Sequence, residues 1–201
     1  RGIEIMAINL KKGQRISLTK EDPSLQQIMC GLGWDVATKS GGFWGGNKQF
    51  DLDSSVLCLD ADKKLLDVKN IIYFGNLRHS SGAIAHQGDN LTGAGAGDDE
   101  IINIDLPLIP PNIVYLLFAI NIYKCNERRQ DFGMVENAFV RMVNRTSNQE
   151  LARYNLSGSE YQGMTGMILA EVYRHNEEWK MAAVGNGFKI ATLADIAKIY
   201  T

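Results

Sequence analysis

Four carboxylates fall within the twelve residues Asp89 to Glu100, in the run Gly88-Asp89-Asn90-Leu91-Thr92-Gly93-Ala94-Gly95-Ala96-Gly97-Asp98-Asp99-Glu100. Asp51 and Asp53, two residues apart, are candidates to join them. Two like charges at 4 Å repel by about 1 kcal/mol in bulk water and about 4 kcal/mol at an effective dielectric near 20. Converging several would consume much of the roughly 5–15 kcal/mol that holds an ordinary domain together. Either the carboxylates splay into water or a cation sits among them.

The neighbouring residues favour the cation. Asp, Asn and Thr offer only oxygen ligands, and glycines let backbone carbonyls turn inward. Hard oxygen donors in a flexible loop suit Ca²⁺, with Mg²⁺ second because it demands a tighter octahedron. Zinc or iron would want His or Cys, and the loop has neither. His86 lies nearby, but a single His beside a turn reads as a hydrogen-bonding residue. The spacing is not that of an EF-hand. Gly93-x-Gly95-x-Gly97 is not a dinucleotide-binding fingerprint, no Gly-Lys-Ser/Thr follows it, and Asp98-Asp99-Glu100 would repel a phosphate.

The elements that must position this loop read mostly as strands. Ile8/Leu10 and Ile16/Leu18 alternate around Lys12-Gly13, which predicts an opening hairpin. Ile28 to Asp35 and Ile101 to Leu106 are further strands. In Phe50 to Leu59, side-chain alternation puts Asp51, Asp53, Leu57 and Leu59 on one face and Leu52, Val56 and Cys58 on the other. Such a strand lies between two layers with its carboxylates at the sheet's rim. Leu65 to Phe74 is the expected return strand, and Ser80 to Gly97 is turn-rich. Val114 to Ile122 is a fully buried strand. Asp131 to Ala138 is expected to be a short helix. Phe139–Val143 pairs with Glu150–Leu156, and Val172–Arg174 with Trp179–Val184 around Asn176-Glu177. A C-terminal helix, Thr192 to Tyr200, has Thr192 as cap and Asp195 at its positive end. Strands about a dozen residues apart predict an all-β fold, a two-sheet sandwich with one or two short helices.

With 201 residues, 45% of them hydrophobic, the chain suits one self-supporting domain. Lys and Arg number 21 against 23 Asp and Glu, which excludes the basic excess of a nucleic-acid protein. Cys30, Cys58 and Cys125 form no C-x-x-C pair and read as buried, reduced thiols, which fits a cytoplasmic location. No stretch approaches the roughly 20 apolar residues of a membrane span, and no signal-peptide core is present. A natural start at Met6 leaves residues 1–5 as an upstream extension or a remnant. Trp34 and Trp179 read as packing residues, and Arg128-Arg129 as a solvated pair. Trp44 sits in a glycine-aromatic loop at residues 40–49 and is the stronger candidate for a binding role.

Several motifs in order resemble the TerD family of tellurium-resistance and general stress proteins. They are the acidic run itself, Gly31-Leu-Gly33-Trp34-Asp35, Phe50-Asp51-Leu-Asp53-Ser54-Ser55, Phe132-Gly133, Asn137-Ala-Phe139, Leu151-Ala-Arg153-Tyr154, Arg174-His175-Asn176 and Gly185-x-Gly187. The loop at 40–49 is similar to a branch of the family with an insertion before the Asp-Leu-Asp motif. The resemblance covers the chain from Met6 and implies a single domain, residues 6–201. It implies a bacterial cytoplasmic β-sandwich that binds one or two calcium ions and has no catalytic activity. It also implies related family proteins or membrane-associated stress complexes as partners, with peripheral membrane association, and a role in tellurite and phage resistance. The expected metal residues are Asp35, Asp51, Asp53, Asp89, Asn90, Thr92, Gly93, Asp98, Asp99 and Glu100. Family members commonly carry Glu or Asp where this chain has Ala94 and Ala96, which predicts weaker binding or fewer ions. The alternative function is a Mg²⁺- or Mn²⁺-dependent phosphoester hydrolase, with the same carboxylates on the metal and His86 or His79 as base.

Overall fold

A computed structural model describes residues 7–36, 51–88, 97–156 and 158–201. The strands in chain order are β1 (Ile8–Leu10), β2 (Arg15–Ser17), β3 (Gln27–Val36), β4 (Leu52–Leu59), β5 (Ile71–Ile72) and β6 (Ile84–His86). They continue with β7 (Glu100–Asp105), β8 (Tyr115–Ile122), β9 (Val135–Asn144), β10 (Gln149–Leu156), β11 (Gly166–His175) and β12 (Glu178–Phe188). Short helices α1 (Leu18–Glu21), α2 (Cys125–Arg128) and α3 (Leu193–Lys198) join them. The first sheet has the order β1-β10-β9-β3-β7-β6 and the second β2-β12-β11-β8-β4-β5. The two pack face to face as an all-β sandwich around one large apolar core, with Phe118, Ile28, Ile102 and Met181 among its fully buried members. No helix among the described residues is long and apolar enough to cross a membrane.

The alternation in β4 produces a layered arrangement. Leu52, Val56 and Cys58 enter the sandwich core. Leu57 and Leu59 face the other way, into a second cluster with Leu117, Ala119, Ile196 and Ala197, where α3 covers the outer face of the second sheet. β8 is buried on both faces for the same reason. Asp195 accepts the N–H groups of Ala191 and Thr192, fixing the start of α3. The β11–β12 hairpin turns through Asn176 and Glu177, both at positive φ.

Four local expectations are corrected. The opening segments do not form a hairpin: β1 runs parallel to β10 in one sheet, and β2 antiparallel to β12 in the other. Alternation marks each as half-buried but does not choose its partner, and Gly13, at φ +83°, carries the chain between the sheets. Asp131 to Ala138 is not a helix. Asp131 caps a single 3-10 turn through Gly133, and Val135 already opens β9. The return strand expected over Leu65–Phe74 shrinks to β5, because Leu66, Val68 and Phe74 stay exposed and do not alternate into the core. Strand β6 lies inside the segment that read as turn-rich. The 40–49 loop, Trp44 with it, lies outside the described residues.

All three cysteines are free and buried. Burial pushes the Cys58 thiol up to about 12. Trp34 and Trp179 pack partly buried against the main core.

A candidate cation site at the end of the acidic loop

The site is built on the pairing of β3 with β7, in which Leu32 lies opposite Glu100. The Asp99 N–H donates to the Leu32 carbonyl at 2.7 Å, so Asp98 and Asp99 are laid against the end of β3. Two glycines of β3 make that approach possible. A Cβ at Gly31 would collide with the Asp98 carboxylate, and one at Gly33 with the Phe139 ring.

Asp98 is held by Arg141, which stands opposite Gly31 on β9. Arg141 Nε and Nη2 donate to its two oxygens, each at 2.8 Å, and Nη1 reaches Glu150 at 3.0 Å. Arg153 adds two further bonds to Glu150 at 2.7 and 3.0 Å and lies over the Phe139 ring. The Asp98 side chain is only 4% exposed. Hydrogen bonds to Asp98 raise the Arg141 pKa despite burial. Burial works against the Glu150 carboxylate, but bonds from Arg153 and Arg141 outweigh it and hold its pKa low. This ladder of charge-assisted bonds fixes the chain on leaving the acidic loop.

Asp99 accepts the Trp34 N–H at 2.8 Å. Its carboxyl is pushed above the usual value, first by burial and then by the charges of Asp35, Glu100 and Asp98, while the Trp34 bond pulls the other way. Asp35, exposed at the end of β3, accepts from Asn137 Nδ2 at 2.9 Å. Glu100, 5% exposed, crosses the sandwich to accept the Ser54 N–H of β4 at 2.9 Å.

His86 completes that crossing. Its Nδ1 accepts the Gly88 N–H at 3.0 Å, which places the ring proton on Nε2, 2.9 Å from Ser54 Oγ and 3.6 Å from Glu100 Oε2. His86 is therefore a hydrogen-bonding tie, as its sequence context predicts. His79 is likewise engaged: Nδ1 accepts the Ser81 N–H, and Nε2 faces Asn70 Oδ1. Both rings are buried, and neither presents a free acceptor nitrogen to substrate.

Asp99 thus feels the charges of Asp35, Asp98 and Glu100, but the side chains diverge: Asp98 turns to Arg141, Asp35 to Asn137, and Glu100 into the sandwich to Ser54. Asp51 lies 4.0 Å from Arg128, which answers a carboxylate of its own chain. Asp53 points to the outer face of the second sheet, opposite Asn121 of β8. Asp89, Asn90, Thr92 and Gly93 lie outside the described residues. The carboxylates offer oxygen donors that suit a hard cation, with the His86 ring 3.6 Å from Glu100 Oε2. Among the described residues, no three His, Cys, Asp or Glu side chains already converge as a cage, and both Asp98 oxygens are taken by Arg141. Asp35, Asp99 and Glu100 fit as part of a site, and Asp98 as its support. Arg141 does not stand out in the sequence, where Ser54 reads only as part of the Asp-Leu-Asp motif and His86 as a hydrogen-bonding residue or an alternative base. Nothing in local spacing marks Arg141; only strand register brings it here.

Residues 6–200 match the family model described as TerD domain. The chain is 51% identical over 200 residues to "Stress response protein SCP2" of Bacillus subtilis, covering 97% of this chain and 100% of that one. It is 40% identical over 183 residues to "Tellurium resistance protein TerD" of Serratia marcescens, covering 91% and 92% of the two chains. Among solved structures, a homologue of the telluride resistance protein TerD from Streptomyces coelicolor superposes with a TM-score of 0.65. The superposition covers 89% of this chain and 99% of that one at 20% identity, a likeness of fold.

Proposed function

The chain belongs to the TerD family of stress-response and tellurium-resistance proteins, and on that premise we propose that it is a non-catalytic calcium-binding module that assembles with partners in its metal-bound form. The observation that supports the reading is that Asp99 lies within electrostatic reach of three more carboxylates, Asp35, Glu100 and the clamped Asp98. These carboxylates come from two strands and one loop end. Asp89, Asn90, Thr92 and the Gly93 carbonyl, next in sequence, are the proposed remainder of the site. One ion held there would neutralise charge that now raises the Asp99 pKa. Asp51 and Asp53 face elsewhere, so a second ion would need a separate set of donors.

The proposed partners are related family proteins or components of a membrane-associated stress complex, with this chain at the membrane only peripherally. Calcium would act by fixing the loop that these partners read. The proposed location is the cytoplasm, in keeping with three free, buried thiols.

Thermal unfolding tests the metal reading. Calcium at a hundredfold excess over Kd should stabilise the fold by about 2.7 kcal/mol, a rise in Tm of roughly 5–10 °C for a chain of this size. An identical Tm in EGTA and in excess Ca²⁺ would defeat it. Assembly is tested separately, by light scattering of the eluted protein with and without Ca²⁺.

A further inference from the structure

The outer face of the second sheet is covered only in part. Leu57, Leu59, Leu117 and Ala119 are sealed by α3. Toward the other end of β4 and β8 the cover stops where α3 begins, leaving a cavity of about 800 Å³ between the Val68–Asn76 segment, α2 and Ala191–Ala194. That volume is within the usual range for small-molecule sites, roughly 300–1,000 Å³. Val68, Phe74 and Tyr123 all line it and are 74%, 58% and 41% exposed. Three large apolar or aromatic side chains left in water around one opening mark a surface that gains by being covered.

The inner end of the cavity is lined by acceptors. Asp53 and Asn121 are direct cross-strand neighbours on its floor. Asn121 is 7% exposed, and its side-chain oxygen has no hydrogen-bond partner. A buried acceptor left unmet costs about 1–3 kcal/mol. The positive side chains stand at the rim instead. Lys69 and Lys124 are exposed, and Lys124 pairs with Glu127 at 3.9 Å.

We propose that this cavity binds a small organic cation, an amine or amidine whose donor head reaches Asp53 and Asn121 and whose aromatic or branched apolar body lies against Phe74, Tyr123 and Val68. Asn121 sets its amide in the cavity floor, and a turn of that amide, which exchanges oxygen and nitrogen with little change of shape, moves the partnerless oxygen to the cavity side. Asp53 supplies charge that selects a cation and disfavours a carboxylate of the same outline.

The test is calorimetric titration of the calcium-saturated protein with tryptamine and with benzamidine, using indole-3-acetate as a probe of matched body and opposite charge. The expected result is saturable binding of at least one amine at one per chain, with indole-3-acetate at least tenfold weaker. Asn121→Leu should weaken that amine at least tenfold. Phe74→Ser, an exposed change that leaves the core intact, should weaken it at least threefold. The inference is overturned if neither amine binds saturably, if the acid binds equally well, or if both variants bind as the parent does. It is also overturned if amine binding appears only after calcium is stripped, since Asp53 would then belong to the metal. Calcium titration of Asn121→Leu keeps the two readings separate, because this cavity can fail while the metal heat persists.

Discussion

Arg141 grips Asp98 through two parallel hydrogen bonds, Nε to Oδ1 and Nη2 to Oδ2, both 2.8 Å, above the bare backbone of Gly31. The pair links the third and ninth strands to the end of the acidic loop. It also leaves Asp99 and Glu100, the next two residues, turned toward Trp34 and Ser54. The clamp is thus a positioning device for the proposed calcium corner.

Removing one partner of a buried pair leaves the other charge uncompensated, a loss of roughly 3–5 kcal/mol when both groups are fully buried. Arg141 is 27% exposed, so Arg141→Ala should cost about 2–3 kcal/mol, below the range for a fully buried pair. Arg141→Lys should recover less than half, because an ammonium cannot match the bidentate fork. Urea unfolding of the three proteins measures both.

Asp99 gives a dependence on pH with a definite sign. Its folded carboxyl titrates above 3.8, so the protonated form favours the fold. The associated stability is full below the unfolded value and is lost as pH rises through the folded one. In EGTA, Asp99→Asn should therefore match or exceed the parent in stability at pH 7. That advantage should shrink as pH falls toward 4. In saturating Ca²⁺ the order should reverse at pH 7, because the variant has lost a ligand. Urea midpoints at both pH values, with and without metal, check all four corners.

Gly31→Ala should lower stability and calcium affinity together. The added Cβ strikes the Asp98 carboxylate, and overpacking at a tight site typically costs about 1–3 kcal/mol. Gly82→Ala, where the space is open but φ is +76°, should lower stability alone. A Gly31→Ala protein with unchanged calcium affinity would separate the clamp from the metal.

Because the thiols of Cys30, Cys58 and Cys125 are buried, a disulfide reagent such as DTNB should modify none of them in the native protein. All three should react within seconds in 6 M guanidinium chloride. Rapid reaction of one thiol in the native state would show a local opening that the sandwich packing does not provide.

Much of this architecture was legible in residue order. β8 announced itself as an unbroken apolar run, and β4 as a strand with two apolar faces. Thr192 and Asp195 signalled the start of the last helix. The acidic run was legible as chemistry, because oxygen donors and glycines are read one residue at a time. What could not be read were relations set by register. Arg141 and Asp98 lie 43 residues apart, and no local pattern pairs them. Asp51 and Asp53 read as partners of the loop by composition; the structure sets Asp51 near Arg128 and turns Asp53 to the outer face of its sheet, while loop residues 89–96 lie outside those described. The opening strands were visible as strands but not as belonging to two sheets, since a period of two carries no information about the neighbour.

The most direct test is isothermal titration of metal-stripped protein with Ca²⁺ and, separately, with Mg²⁺. The account predicts one Ca²⁺ per chain at the corner of Asp35, Asp99 and Glu100, with Mg²⁺ weaker by at least tenfold. It further predicts that Asp99→Asn abolishes most of the heat while Asp51→Asn retains it. No calcium heat from the parent protein, or loss in Asp51→Asn with Asp99→Asn unaffected, would contradict it.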